Sequence, residues 1–177
     1  MSTTSATSSG HLPSSVLILA PEKHEDDRGW LFEIVNRTLG FEPKQVYAVH
    51  CRPWKPRGAH FHRRKSEVFA VVSGSCRLRW RAAAEDVRGP QDRRGEVQDR
   101  LLGPAVTAQA VFIPPGVWHE FEAIPTTAHP EGAVVIAVAD EWYDPNDEDT
   151  YRDGEDTPST PPTPRGPAMQ DGEYHDG

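Results

Sequence analysis

Apolar residues along this chain come in short runs, and none of the runs keeps a helical period. SVLIL (15–19), GWLFEIV (29–35), KQVYAVHC (44–51), EVFAVV (67–72), CRLRWR (76–81), VTAQAVFI (106–113), HEFEAI (119–124) and AVVIAVA (133–139) are rich in Val, Ile, Phe and Trp. Such side chains suit the pleated surface of a sheet, and Gly, Pro or Asp clusters separate most of the runs. In CRLRWR, Cys76, Leu78 and Trp80 alternate with Arg77, Arg79 and Arg81, the period of a half-buried strand. No window of about 12 residues or more carries apolar positions at helical spacing. The pattern predicts an all-β fold over 14–151, a sandwich or small barrel. Residues 82–100 are polar and are expected to form a long exposed connection or a ragged hairpin.

Composition sets the ends. Residues 1–13 are Ser/Thr-rich and residues 152–177 are rich in Pro, Gly and acids. Neither can bury enough apolar surface to offset the entropy of ordering, so both are expected to be disordered tails. No apolar run approaches the ~20 residues that span a membrane, and the N-terminus lacks the basic-then-apolar order of a secretory signal. Cys51 and Cys76 are the only cysteines, too few for a disulfide framework, which points to a reducing, cytoplasmic setting.

Charge changes the picture more. The net charge is −8, but residues 140–177 hold twelve acids against two arginines, a local −10 that leaves the rest near +2. Residues 52–81 contain nine Lys/Arg and one acid, Glu67. A basic patch of this kind attracts an anionic small molecule, although alternating arginines also fit the solvent side of a strand. Nucleic acid is not expected as a partner, because no recognition helix, zinc finger or RNA-binding motif is present and the acidic end opposes it.

The one acid in that patch belongs to a suggestive stretch, GAHFHRRKSEVFAVVSG (58–74). Side chains at i and i+2 of an extended backbone point to one side, so His60 and His62 can share a target. A third histidine, His119, follows a Pro-Pro-Gly turn in VFIPPGVWHEF. With Glu67 these make three nitrogens and one carboxylate oxygen, a set that suits a divalent metal such as Zn, Fe, Mn or Ni.

H-x-H, four residues, Glu, six residues, Gly, and then P-x-G-x-x-H together resemble the two motifs of the cupin superfamily. The resemblance implies a cupin double-stranded β-helix, or jelly roll, over about residues 25–140. Three turn positions depart from it: Trp54 and Ala108 stand where glycines are expected and Ala123 where an asparagine is expected. Further stretches narrow the family. HEDDRGWLFEIV (24–35), RGAHFH (57–62) and IPPGVWHEF (113–121) resemble segments of nucleotide-4-keto-6-deoxysugar 3,5-epimerases. The spacing within HFHRRKSEVFAVVSG, and the ending DEWYDPNDEDTY (140–151), look closer to the cupin of bifunctional capsular-polysaccharide UDP-sugar reductases. There a zinc cupin epimerises a 4-keto sugar at C3 before a separate reductase domain acts. The same ending is similar to that of sugar 3,4-ketoisomerases, which usually have one residue fewer between the second histidine and the glutamate.

The resemblance implies an isomerase acting on a nucleotide-diphosphate sugar: an epimerase at C3, possibly C3 and C5, or alternatively a 3,4-ketoisomerase. It places His60 as the base, His119 as a site histidine, Arg57 on the substrate and Arg28 on the nucleotide phosphates. If His60 instead binds zinc with His62, Glu67 and His119, the base is expected to be Tyr47 or Tyr143. Trp30 is expected to stack on base or sugar, and Lys65, Arg77 and Arg79 to hold the diphosphate. A homodimer is expected, with the DDRGW strand crossing to the partner. The four ligands also suit a cupin dioxygenase, a polyketide cyclase or a non-catalytic ligand-binding cupin, because a fold does not fix a function.

Overall fold

The computed structural model describes residues 12–36, 39–81, 96–106, 110–145 and 149–152. Twelve strands lie within them: β1 (Leu17–Leu19), β2 (Lys23–Asp26), β3 (Gly29–Phe32), β4 (Gln45–Cys51), β5 (Arg57–Phe61), β6 (Glu67–Ser73), β7 (Cys76–Arg81), β8 (Gln98–Leu102), β9 (Ala110–Ile113), β10 (Trp118–Ala123), β11 (Ala133–Ala139) and β12 (Tyr151–Arg152). Each of the apolar runs in the sequence coincides with or overlaps one of them. One five-stranded sheet has the order β1-β9-β6-β11-β4 and a second the order β12-β5-β10-β7-β8, while β2 and β3 pair with each other. All pairings between named strands are antiparallel. The two sheets make the jelly roll that the cupin motifs imply.

Alternation decides what goes inside. In β10, His119, Phe121 and Ala123 are buried while Trp118, Glu120 and Glu122 are partly exposed. In β7, Cys76, Leu78 and Trp80 point inward and the arginines outward, as the pattern predicted. Phe69, Val71, Leu78, Val111, Ile113, Phe121 and Val135 meet between the sheets in the main core. The first sheet is covered on its other face too, where Val68, Phe112 and Val138 pack with Phe41, Leu17, Leu19, Ile34 and Leu39. That double cover explains why EVFAVV and AVVIAVA read as unbroken apolar runs, since strands buried on both faces lose their polar positions. The turn from β6 to β7 needs Gly74, at φ +73°, where a Cβ would stand 2.4 Å from the Gly132 carbonyl oxygen.

The structure corrects the sequence reading in places. β2, KHED, and β8, QDRLL, carry almost no apolar signal, because they lie at exposed edges and present mostly polar side chains. Residues 98–100, expected in an exposed connection or a ragged hairpin, pair antiparallel with β7 as the hairpin alternative requires, while residues 82–95 lie outside the described residues. The tails 1–11 and 153–177 and the departure at Ala108 also lie outside them. Arg152, placed in the C-terminal tail by composition, pairs in β12 with His60. Cys51 and Cys76 are free thiols, both buried. No helix among the described residues is long and apolar enough to cross a membrane.

Candidate active site

One end of the space between the sheets gathers the expected residues. Alternate residues of β4 turn Tyr47, Val49 and Cys51 toward it, β5 brings Arg57 and His60, β6 brings Phe69, β10 brings His119 and Phe121, and β11 brings Val135. Together they line a cavity of about 150 Å³. His62, just past β5, and Glu67, the first residue of β6, join the two histidines there. One ligand atom from each of His60, His62, Glu67 and His119 lies within 4.8 Å of all the others. The His60 ring centroid is 4.8 Å from that of His62 and 4.9 Å from that of His119.

The backbone of β5 is distorted to achieve this. Against β10, His60 pairs with His119 and Gly58 pairs with Glu120, leaving Ala59 as an extra residue. Gly58 and Ala59 have φ of +93° and +56°, the left-handed conformation of a β-bulge. Arg57 then sits opposite Phe121. Phe121 and His119 both face inward, so the bulge places Arg57 on the same side as His60. Without the extra residue a spacing of three would put them on opposite faces. A Cβ at Gly58 would stand 2.9 Å from the His119 carbonyl oxygen, so glycine is required twice over, by φ and by space. Trp54, where the cupin motif has glycine, adopts φ +58° in a turn. The turn survives with an exposed tryptophan, at a cost of about 1–2 kcal/mol for the left-handed backbone.

Hydrogen bonds fix the orientation of the His62 and His119 rings. His62 Nδ1 meets the Asp149 carbonyl oxygen and His119 Nδ1 meets the Val117 carbonyl oxygen at 3.1 Å. Carbonyl oxygens only accept, so both Nδ1 atoms carry hydrogen and Nε2 faces inward, a lone pair where the ring is neutral and a donor where it is protonated. Those Nε2 atoms stand 3.2 Å and 3.5 Å from one oxygen of Glu67. The other Glu67 oxygen accepts the Tyr47 hydroxyl at 2.7 Å.

Burial drives the titration of the cluster. Burial, with the neighbouring His119 and His62, pulls His60 down to about 3. Burial also lowers His119, against the opposing pull of Glu67. For Glu67, burial alone would raise the carboxyl, but the hydrogen bond and charge of His62, with His119 and Lys65, hold it well below the usual range. The Tyr47 phenol is pushed far up by burial and then by the Glu67 charge and hydrogen bond, so Tyr47 enters the site as a proton donor. A cation fits this donor set. In their neutral form His62 and His119 offer inward lone pairs beside a carboxylate, and His60 Nδ1 is buried without a hydrogen-bond partner. Outward Nδ1–H groups on backbone carbonyls orient imidazoles for a metal.

Other expected residues are not brought here. Arg28 is exposed on the β2–β3 turn and bonds to Asp26. Trp30 stacks on Phe32 of the same hairpin at a centroid distance of 5.2 Å. Neither lines the cavity, since β2 and β3 pair only with each other. Tyr143 and Lys65 line a different cavity of about 300 Å³, with Arg64, Trp142 and Asp149. Arg79 points outward between Glu120 at 2.9 Å and Glu122 at 3.0 Å, and Arg77 approaches Asp99 at 3.9 Å. Arg77 and Arg79 thus face carboxylates on the outer side of the sheet, and Arg57 is the cation of the basic run that lines the cavity. Sequence reasoning missed Asp149. It lies in an acidic stretch that resembles solvated tail, and its contacts are more than eighty positions away in the chain.

A family model described as polysaccharide biosynthesis C-terminal domain matches residues 24–151, the whole span that carries this site. The chain belongs to that family. Among characterised relatives it is 29% identical over 125 residues to the TDP-4-oxo-6-deoxy-alpha-D-glucose-3,4-oxoisomerase of Aneurinibacillus thermoaerophilus, covering 69% of this chain and 76% of that one. Among solved structures it is similar to a double mutant of the 3,4-ketoisomerase QdtA from Thermoanaerobacterium thermosaccharolyticum in complex with TDP. The TM-score is 0.58 and the identity 26%, over 77% of this chain and 86% of that one. It is also similar to the capsular polysaccharide assembling protein CapF from Staphylococcus aureus, with a TM-score of 0.50 and 28% identity. That match covers 75% of this chain but 34% of CapF, so this member of the polysaccharide biosynthesis C-terminal family corresponds to about a third of that protein.

Proposed function

We propose that this protein is a sugar-nucleotide isomerase that epimerises C3 of a nucleotide-linked 4-keto-6-deoxyhexose through an enolate. The observation that carries the reading is the convergence of His60, His62, Glu67 and His119 with Tyr47 and Arg57 around one small cavity. The family supports it, as does the complex of a ketoisomerase relative with TDP.

The chemistry follows from the ketone. A carbonyl at C4 acidifies the hydrogen on C3, and the oxyanion formed on its removal needs positive charge where that charge develops. Arg57 supplies a guanidinium at the cavity wall. His60, His62, Glu67 and His119 would hold a divalent metal, zinc by the resemblance, which would supply Lewis acidity at the C4 oxygen. Phe69, Phe121 and Val135 keep water away from the reacting carbon. Tyr47 holds a transferable proton at Oη. With His60 engaged as a ligand, Tyr47 is the proton-carrying side chain of the cluster. In a metal-free protein, His60 is neutral over the working pH range and takes the C3 proton, Tyr47 delivers its own phenol proton to the other face of the enolate, and proton exchange with solvent restores both groups.

A second reading, 3,4-ketoisomerisation, shares the enolate and differs in where the proton returns. The oxoisomerase relative favours it. Incubation of the protein with TDP- and UDP-linked 4-keto-6-deoxyhexoses in D₂O separates the outcomes. Deuterium at C3 with the ketone still at C4 supports epimerisation, and a product with its ketone at C3 supports isomerisation. No exchange in any of the substrates, with metal-loaded and metal-free protein alike, removes both readings. Iron content with substrate-linked oxygen uptake would move the protein to the dioxygenase class.

A further inference from the structure

The turn between His62 and Glu67 has no strand partner to satisfy its backbone, yet all four of its N–H groups are accepted by two carboxylates. Asp149 takes Arg63 N at 3.0 Å on Oδ1, and Arg64 N at 2.7 Å and Lys65 N at 3.0 Å on Oδ2. Asp140 takes Ser66 N at 2.7 Å. Successive N–H groups converging on an oxyanion form a nest, which fixes a loop as firmly as a strand pairing would. The backbone carbonyl of the same Asp149 receives the His62 Nδ1–H. Asp149 is 9% exposed, and the short strand β12 anchors it. Tyr151 pairs with Phe61 and stacks on it at 5.3 Å, and the Arg63 guanidinium lies 4.2 Å over the Tyr151 ring.

We propose that Asp149 is a positioning residue of the active site, and that docking of residues 149–152 on β5 completes the site. Its carboxylate sets the turn that separates His62 from Glu67. Its carbonyl selects the Nδ1–H form of His62 and aims Nε2 at the carboxylate 3.2 Å away. One residue thus holds the first three N–H groups of the turn through its carboxylate and the histidine before it through its carbonyl. A partner that fixes tautomer and ring direction acts through the group it orients, and losing such a partner typically costs about 10–100-fold in metal affinity or activity. The consequence for catalysis rests on the isomerase reading, whereas the geometric consequence does not.

The test compares wild type, Asp149→Ala and Asp149→Asn in the full chain. In metal-free protein, Asp149→Ala keeps the backbone carbonyl but removes the carboxylate that seats it against the turn, so the His62 Nδ1–H resonance is expected to lose its slow exchange and the amides of residues 63–65 to exchange faster, with β6 and β11 amides unchanged. With zinc ion as the probe, affinity is expected to fall about 10–100-fold. With substrate, kcat is expected to fall by a similar factor while KM stays within about twofold, because an orienting partner acts on the reacting groups rather than on uniform binding. Asp149→Asn, which keeps one side-chain acceptor, is expected to lie between. Retention of the slow His62 exchange and of zinc affinity in Asp149→Ala overturns the proposal. So does an equal rise of exchange in β6 and β11, which would mark a merely structural residue, or a rise in KM alone. Should Asp149→Ala fail to fold, an unchanged His62 resonance in Asp149→Asn overturns it. The resonance, exchange and zinc measurements need no substrate, so failure of the isomerase reading remains distinguishable.

Discussion

At the residue scale, the chemistry turns on what burial does to Tyr47, His60, Glu67 and His119. Tyr47 has its hydroxyl on Glu67 at 2.7 Å and its phenol pushed far up. Tyr47→Phe removes the group placed to carry the proton, so kcat is expected to fall at least about 100-fold. Removing one hydrogen bond to a buried charge should also cost about 1.5–3 kcal/mol of stability, which urea unfolding would read. The cluster also sets an acid limit. In an unfolded chain His60 takes a proton near 6.5, but in the folded protein only near 3. Between those values the unfolded state binds more protons, so stability falls as pH drops through that window. Glu67, held below the carboxylate range, acts with the same sign below about 4.5. Metal-free protein is therefore expected to lose its urea midpoint steadily from pH 6.5 to 3, and His60→Asn should flatten the upper part of that slope. A midpoint independent of pH would contradict the burial of these groups. His60, His62, Glu67 and His119 were all legible in the sequence by type and spacing. The titration of His60, Glu67 and His119 was not, because desolvation depends on what closes over them.

At the scale of elements, β5 decides the site. The i, i+2 rule correctly joined His60 to His62, but it gave no place to Arg57, three residues away from His60. The bulge at Gly58–Ala59 supplies the missing half-turn of alternation and brings Arg57 inward. Gly58→Ala would put a Cβ 2.9 Å from the His119 carbonyl oxygen on a left-handed backbone. Strain of that kind costs about 1–3 kcal/mol, and here it falls on β10 next to a site histidine. Loss of activity beyond the loss of stability is expected, with a lower melting temperature and a raised KM as Arg57 turns away. An unchanged KM would mean that Arg57 does not touch substrate. β8 and β2 were hidden for the opposite reason, since an exposed strand at a sheet edge needs no apolar pattern.

At the scale of the whole molecule, the alternating arginines lie on the solvent side of their strand, one of the two placements their pattern allowed. The arginines of β7 are paired with Glu120, Glu122 and Asp99 on the outer face, while Asp140 and Asp149, counted with an acidic tail, hold the backbone beside the site. The β2–β3 hairpin leaves Trp30 42% and Leu31 60% exposed, and two large apolar side chains on a hairpin that pairs with neither five-stranded sheet make a surface that a second copy can cover. The chain is expected to be a dimer by light scattering and Trp30→Ser with Leu31→Ser a monomer; a wild-type monomer would dismiss the crossing hairpin. Alternating and continuous apolar runs determined an all-β fold, and two motifs determined the four-group cluster, because inward direction is a local property of a strand. The tertiary structure alone decided that Tyr47 rather than Tyr143 meets that cluster, that Arg28, Trp30, Lys65 and Arg79 do not, and that Asp149 does. Those outcomes depend on register, on one bulge and on which segment closes an edge, and contacts between residues eighty positions apart leave no period in the chain for a local reading to find.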